Sequence, residues 1–239
     1  MSHAVSLVIP AYNEQARLPY TLSEIEAYVC REHLDCEVIV VDNGSRDATS
    51  VVVQQAAIKF SGLRLLRTDR RGKGRAVRAG ALAAHGDVVM FADADLSWAV
   101  EDLSRFVALV DERTPIVIGS REGRGARRID EPLYRHLMGR VFNGVVQALA
   151  VPGIEDSQCG FKAFSADAAR AIFSRQRITG WGFDVEVLYL ARQLGFSIRV
   201  VPLRWEHKEN SRVAPVPDTL LMLWDVISVR LNAWRGAYD

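Results

Sequence analysis

Two carboxylates one residue apart, Asp93 and Asp95, end an apolar run of Val88, Val89, Met90, Phe91 and Ala92. Paired oxygen ligands suit a hard cation such as Mg²⁺ or Mn²⁺, whose other positions are filled by phosphate oxygens and water. The chemistry open to this pattern is metal-assisted handling of a diphosphate. Equally, the acids could cap the next helix or face water, where Asp is also favoured. Three more groups share the theme of polar residues just after an apolar stretch. Pro10, Ala11, Tyr12, Asn13 and Glu14 form a turn rich in hydrogen-bonding groups. Asp42, Asn43, Gly44 and Ser45 offer a carboxylate to a nucleobase N–H or a ribose hydroxyl, or close an Asx-type turn on themselves. Arg70, Arg71, Gly72, Lys73 and Gly74 place cations just before a helix N-terminus, a setting suited to phosphate. This last stretch lacks the glycine spacing and the Ser or Thr of a Walker loop, and no Gly-x-Gly-x-x-Gly follows the first strand.

These groups need a scaffold that delivers them to one edge. Val5 to Ile9 reads as a buried strand, and Leu22, Ile25, Tyr28 and Val29 recur at helical spacing after Pro19. Glu37 to Val41 is a second strand, followed by Asp47 as an N-cap and a helix carrying Val51, Val52, Gln55 and Ile58. Leu63 to Arg67 and Val88 to Ala92 are strands around an Ala-rich helix, Arg75 to His85. Leu103, Phe106, Val107 and Val110 mark a further helix before the strand Ile116 to Gly119. This alternation predicts an α/β fold, a mostly parallel sheet with helices on both faces, because parallel neighbours need crossover connections. Residues 122–128 read as an irregular loop, Leu133 to Leu149 as a long helix, Asp184 to Leu194 as a helix and Ser197 to Val201 as a strand.

A chain of 239 residues, 49% hydrophobic, suffices for one substantial core and gives no reason to divide it. The formal net charge of +1 offers nothing to a nucleic acid. Cys30, Cys36 and Cys159 are odd in number and lack metal-site spacing, which fits a reducing cytoplasm. No basic and apolar leader precedes Pro10, and no segment reaches the roughly 18 apolar residues of a membrane span. The expected setting is cytoplasmic, with attachment to the cytoplasmic membrane face left open. Residues 218–239 are set apart from a catalytic domain, 1–217, because Thr219 to Trp234 is apolar almost all round. Three readings of that helix stay open: the bilayer interface, packing on the domain, and a homodimer contact.

As an ordered set, VIPAYNE, VVDNGSRD, RGKGRA and MFADADLS resemble the nucleotide-binding half of the inverting family 2 glycosyltransferases, which have the GT-A fold. SQCGFKAF, GWGFDVEVLYLAR and RWEHKENSRV resemble the polyprenyl-phosphate branch, and most of all dolichyl-phosphate glucosyltransferases. The resemblance spans roughly Val5 to Val213. It implies a Rossmann-like GT-A sheet and transfer of a hexose from a nucleoside-diphosphate sugar to a polyprenyl phosphate. UDP-glucose is the favoured donor and GDP-mannose the alternative. It further implies that Pro10, Tyr12, Glu14 and Asp42 hold the nucleoside with Lys73 nearby, that Asp93 meets the donor and that Asp95 meets the metal. Ser97 stands where the mannosyltransferases usually have Gln, which favours glucose. On the acceptor side the resemblance implies phosphate contacts from Arg121 and Lys162, with Arg212 closing over the diphosphate. Transfer to a soluble hydroxyl, with Asp156 as base, is the alternative reaction. The non-enzyme alternative is a nucleotide-sugar-binding relative without turnover.

Overall fold

A computed structural model describes residues 4–129, 133–206 and 215–239. In chain order the elements are β1 (Val5–Ala11), α1 (Leu18–Arg31), β2 (Cys36–Asp42), α2 (Thr49–Ala57), β3 (Leu63–Arg67), α3 (Lys73–Leu82), β4 (Val88–Ala92), α4 (Asp102–Val107) and β5 (Ile116–Ser120). After these come β6 (Arg127–Ile129), α5 (Leu133–Leu149), β7 (Phe161–Ser165), α6 (Ala166–Arg175), α7 (Phe183–Gln193), β8 (Ile198–Pro202), β9 (Arg204–Glu206) and α8 (Pro215–Trp234).

Seven strands form the main sheet in the order β3-β2-β1-β4-β7-β5-β8. All neighbours are parallel except β7, which runs antiparallel between β4 and β5. Side chains alternate faces along a strand, and both faces are covered. Leu7, Ile9, Val38 and Val40 enter one apolar cluster, while Val8, Ile39 and Val41 enter the other. Such strands read as unbroken apolar runs, which is why β1, β2 and β4 were legible. Because β1, β2 and β4 are parallel, their C-terminal ends at Ala11, Asp42 and Ala92 share one edge of the sheet.

Departures from the sequence reading are local. The loop expected over residues 122–128 contains the start of β6, which pairs with β9 in a small parallel ribbon. The N-cap of α2 is Ala48 rather than Asp47, which lies one position earlier and accepts the Thr49 N–H at 3.0 Å, and α2 buries only Thr49 and Val53. Ile58, expected on its apolar face, lies past its end and is exposed. α3 begins at Lys73 itself, so the lysine belongs to the helix's first turn. α8 begins at Pro215, upstream of the boundary expected near residue 218, and packs on α5 and α7.

Candidate functional site

A cleft of about 430 Å³ opens at the C-terminal edge of β1 and β4, lined among others by Pro10, Tyr12, Glu14, Lys73, Asp93 and Asp95. Sequence-distant groups thus converge because the parallel strands end together. At its floor Lys73 Nζ lies 2.6 Å from Asp93 Oδ1. Burial works against the ammonium, but Asp93, Asp184 and Asp95 outweigh it and raise the Lys73 pKa above its ordinary value. Lys73 therefore stays charged.

The backbone carrying the two acids is held on three sides. The Asp93 N–H donates to the Gly160 carbonyl at 3.2 Å, the Asp93 carbonyl accepts from Trp98 Nε1 at 3.1 Å, and the Ala94 carbonyl accepts from Thr21 Oγ1 at 2.7 Å. A Cβ on Gly160 would lie 2.0 Å from Asp93 Oδ2, so a larger residue just before β7 would push this carboxylate from its place beside Lys73. Next, Leu96 adopts a left-handed backbone with φ 50°, uncommon for a bulky residue, and the chain turns back. Ser97 then donates to Asp95 Oδ1 from both its N–H, at 3.0 Å, and its hydroxyl, at 2.7 Å. Burial, then the Asp93 charge, push the Asp95 carboxyl above the usual range against these bonds. Among the described residues, no group of three or more His, Cys, Asp or Glu side chains comes together as a cation cage.

The nucleoside-side residues divide. Tyr12 lies under Arg71, whose guanidinium carbon is 4.3 Å from the ring centroid. Glu14 is clasped by Arg17 through two bonds of 2.6 and 2.7 Å and orients that arginine, which also lines the cleft. Asp42 is turned inward: it accepts the Ser45 N–H at 2.9 Å and the Ser50 hydroxyl, and its neighbour Asn43 supplies the lining instead. Of the two readings of Asp42, the Asx-type turn is the one the geometry displays. The first turn of α3 also differs from expectation. Its Gly74 and Arg75 N–H groups donate to the Gly180 and Thr179 carbonyls, so the cation offered to an anion is the Lys73 side chain rather than the helix end.

Sequence reasoning missed the far wall, made by Gly180, Trp181 and Leu221. Lys73 Nζ sits 5.5 Å from the centroid of the Trp181 ring. Here α8 meets the site: Asp225 accepts the Gly182 N–H at 3.1 Å, and a Cβ on Gly182 would fall 2.3 Å from the Cβ of Asp225. GWGFDVE held the signal, since its two glycines bracket a tryptophan ahead of a helix.

A model of the family described as Glycosyl transferase family 2 matches residues 6–173. The chain belongs to this family. Similar curated relatives are the dolichyl-phosphate beta-glucosyltransferase of Mus musculus, 36% identical over 98% of this chain and 77% of the relative, and that of Dictyostelium discoideum, 33% identical over 98% and 76%. Among solved structures, glucosyl-3-phosphoglycerate synthase from Mycobacterium tuberculosis in complex with uridine-diphosphate shares the fold at a TM-score of 0.70, with 23% identity over 96% of this chain and 79% of that one. The same synthase with Mn²⁺, uridine-diphosphate-glucose and phosphoglyceric acid gives a TM-score of 0.67 at 22% identity, over 96% and 79%. The sheet expected from the resemblance is thus the GT-A sheet of a family 2 glycosyltransferase.

On the acceptor side of this glycosyltransferase the structure corrects two expectations. Lys162 was expected to meet phosphate, yet it is 0% exposed, paired with Asp184 and donating to the Cys159 carbonyl at 2.6 Å. It lies on β7 facing the core beside Phe91, where a charge persists only with a partner. Asp156, the expected base of the alternative reaction, is buried under Arg121, which reaches it through Nε at 2.8 Å and a terminal nitrogen at 2.7 Å. A carboxylate held as a bidentate acceptor is poorly placed to take a proton from a substrate. Arg121 itself keeps a partly exposed edge and stands over Trp205, outside the cleft lining. Arg212 lies outside the described residues.

Proposed function

We propose that the chain transfers glucose, with inversion, from a nucleoside-diphosphate sugar to a polyprenyl phosphate of the dolichyl-phosphate type. The observation that carries this reading is the cluster of Lys73, Asp93 and Asp95 on the floor of the cleft. It draws its substrate class from relatives named dolichyl-phosphate beta-glucosyltransferase. UDP-glucose is the favoured donor.

The residues present fit a divalent cation. Asp93 and Asp95 both line the cleft, and Asp184 behind them is paired with Lys162, so the two cleft carboxylates are the oxygen donors such an ion would meet. Burial raises the Asp95 carboxyl, and both bonds from Ser97 fall on one of its oxygens, leaving the other to an ion. Two carboxylates completed by substrate phosphates and water is a common arrangement for Mg²⁺ and Mn²⁺. When bound, such an ion supplies Lewis-acid stabilisation to the leaving diphosphate.

The chain's own residues supply the rest. Lys73 neutralises charge on the departing diphosphate, and Arg17 and Arg71 line its approach. Tyr12 and Asn43 contribute the wall for the nucleoside. One phosphate oxygen of the acceptor attacks the anomeric carbon. The new carbon–oxygen bond forms as the bond to the diphosphate breaks, and the electron pair leaves with the nucleoside diphosphate. A phosphate monoester is already anionic near neutral pH, so no general base is needed, which agrees with Asp156 being engaged by Arg121. On the acceptor side Arg121 keeps a partly exposed edge beside its bonds to Asp156.

The test offers the protein isotope-distinguished UDP-glucose, UDP-N-acetylglucosamine and GDP-mannose together with Mn²⁺ or Mg²⁺ and a polyprenyl phosphate, with detection of lipid by mass. A single labelled lipid phosphoglucose is the expected product. Donor binding without any lipid product would sink the reading in favour of a binding protein without turnover.

A further inference from the structure

We propose that the indole of Trp181 is the platform on which the donor's hexose rests, and that it selects glucose over its C4 epimer. This deepens the proposed function and rests on it for the nucleoside-diphosphate hexose. Two tryptophans approach the paired acids, and they are used differently. Trp98, 3% exposed, spends its N–H on the Asp93 carbonyl and belongs to the framework. Trp181 is partly exposed and lines the cleft. Its ring centroid is 5.5 Å from Lys73 Nζ, which in turn contacts Asp93 at 2.6 Å.

The turn that carries Trp181 is fixed from two directions. From α3, the Gly74 and Arg75 N–H groups donate to the Gly180 and Thr179 carbonyls, each at 3.3 Å. Gln176, 5% exposed, ties the same two segments together, its Nε2 donating to the Gly74 and Ile178 carbonyls at 2.9 and 2.8 Å. From α8, Asp225 accepts the Gly182 N–H at 3.1 Å. A large aromatic side chain set on so constrained a turn, facing a cavity rather than drawn into the core, is placed for a ligand.

Position along the cleft identifies which part of the ligand it meets. Tyr12 and Asn43 take the nucleoside and Lys73 the diphosphate. The hexose is joined directly to the second phosphate, so a ring beside Lys73 is also beside the hexose. A pyranose presents axial C–H bonds, whose weak positive charge suits the negative face of an indole. Inverting transfer reserves both faces at C1, one for the leaving diphosphate and the other for the incoming phosphate, which leaves the C4 end of the sugar to the platform. In glucose the C4 hydroxyl is equatorial and the C–H axial. In galactose the two exchange places, and a hydroxyl set against the indole loses water without gaining a partner.

Calorimetric titration of the full chain with UDP, UDP-glucose and UDP-galactose in the presence of Mn²⁺ tests this. Trp181→Leu keeps bulk without a π face, and Trp181→Phe keeps the face. The parent chain is expected to bind UDP-glucose about tenfold more tightly than UDP-galactose. In Trp181→Leu that preference should fall to about twofold or less, with UDP affinity little changed, and Trp181→Phe should retain most of it. The proposal is overturned if the parent shows no preference or if Trp181→Leu keeps it. Equal weakening of all three ligands in Trp181→Leu also overturns it, since the ring then serves only as a partner for the Lys73 ammonium. A preference that depends on Trp181 in a chain that makes no lipid product sinks the proposed reaction and leaves the platform standing. Lipid phosphoglucose made by Trp181→Leu with its preference intact does the reverse.

Discussion

Asp95 and Lys162 are both charged residues beside apolar runs, and the structure gives them opposite fates. Asp95 follows β4 and is turned into the cleft by Leu96 and Ser97. Replacing it with Ala removes a carboxylate and leaves the backbone bonds of Asp93 and Ala94 in place. Turnover is expected to fall about a thousandfold, the upper range for losing one electrostatic contact, in a protein that still unfolds cooperatively despite the loss of the two Ser97 bonds. Retained metal-dependent transfer would remove Asp95 from the site. Lys162 shows where reading a sequence stops. SQCGFKAF announces a lysine but not which face of β7 it takes, and a one-residue change in register exchanges the two. The antiparallel pairing of Phe91 with Lys162 puts it in the core with Asp184. Lys162→Met alone strands the Asp184 charge and should cost about 3–5 kcal/mol, whereas Lys162→Met with Asp184→Leu should recover most of it. Urea midpoints decide; equal losses in the single and double variants would show that the ion pair is not what the core depends on.

Among the elements, the parallel strands were legible because burial on both faces demands continuous apolar runs, as in Val38 to Val41. What a single chain could not display were contacts between distant elements. The short β6 and β9 form only by pairing with each other, and the Trp181 wall exists only because α8 packs on the turn before α7. That packing has a consequence for donor binding. Asp225 fixes Gly182, Gly180 accepts the Gly74 N–H, and Lys73 begins the same helical turn as Gly74. Asp225→Ala removes the acceptor and loosens the turn that presents Trp181 to Lys73. The donor KM is expected to rise about tenfold with a smaller change in kcat, and Asp225→Asn, which keeps an acceptor oxygen, should restore it. A kcat loss at constant KM, or no rescue by Asn, would refute the positioning role. Gly182→Ala should match Asp225→Ala in effect, since its added carbon meets the same aspartate.

On the scale of the whole molecule, the C-terminal tail closes the structure onto α6 and α7. Arg177 donates twice to the Ala237 carbonyl, at 2.9 and 2.7 Å, and Arg175 donates to the Tyr238 carbonyl at 3.0 Å. At the centre is Glu186, fully buried, which accepts the Arg177 and Ile178 N–H groups and the Tyr238 hydroxyl at 2.6 Å. The sequence marks Glu186 only as an acid near the start of a helix; its side-chain partner Tyr238 comes from the tail's return, more than 50 positions later. Burial raises the Glu186 pKa above its ordinary 4.5 even though Tyr238, Ile178 and Arg177 donate to it. The sign of the pH dependence follows. Between 4.5 and the higher folded value, the unfolded chain has released a proton that the folded chain keeps, so stability is greatest below that interval and is lost as pH rises through it. Glu186→Gln cannot ionise, and its amide can still meet the backbone donors and Tyr238. Measured by urea unfolding from about pH 4 to about pH 7, the stability of the parent chain relative to Glu186→Gln should decline with pH and then level off. A relative stability that climbs with pH would mean that the tail's hydrogen bonds hold Glu186 ionised, and that burial is the lesser force at this junction.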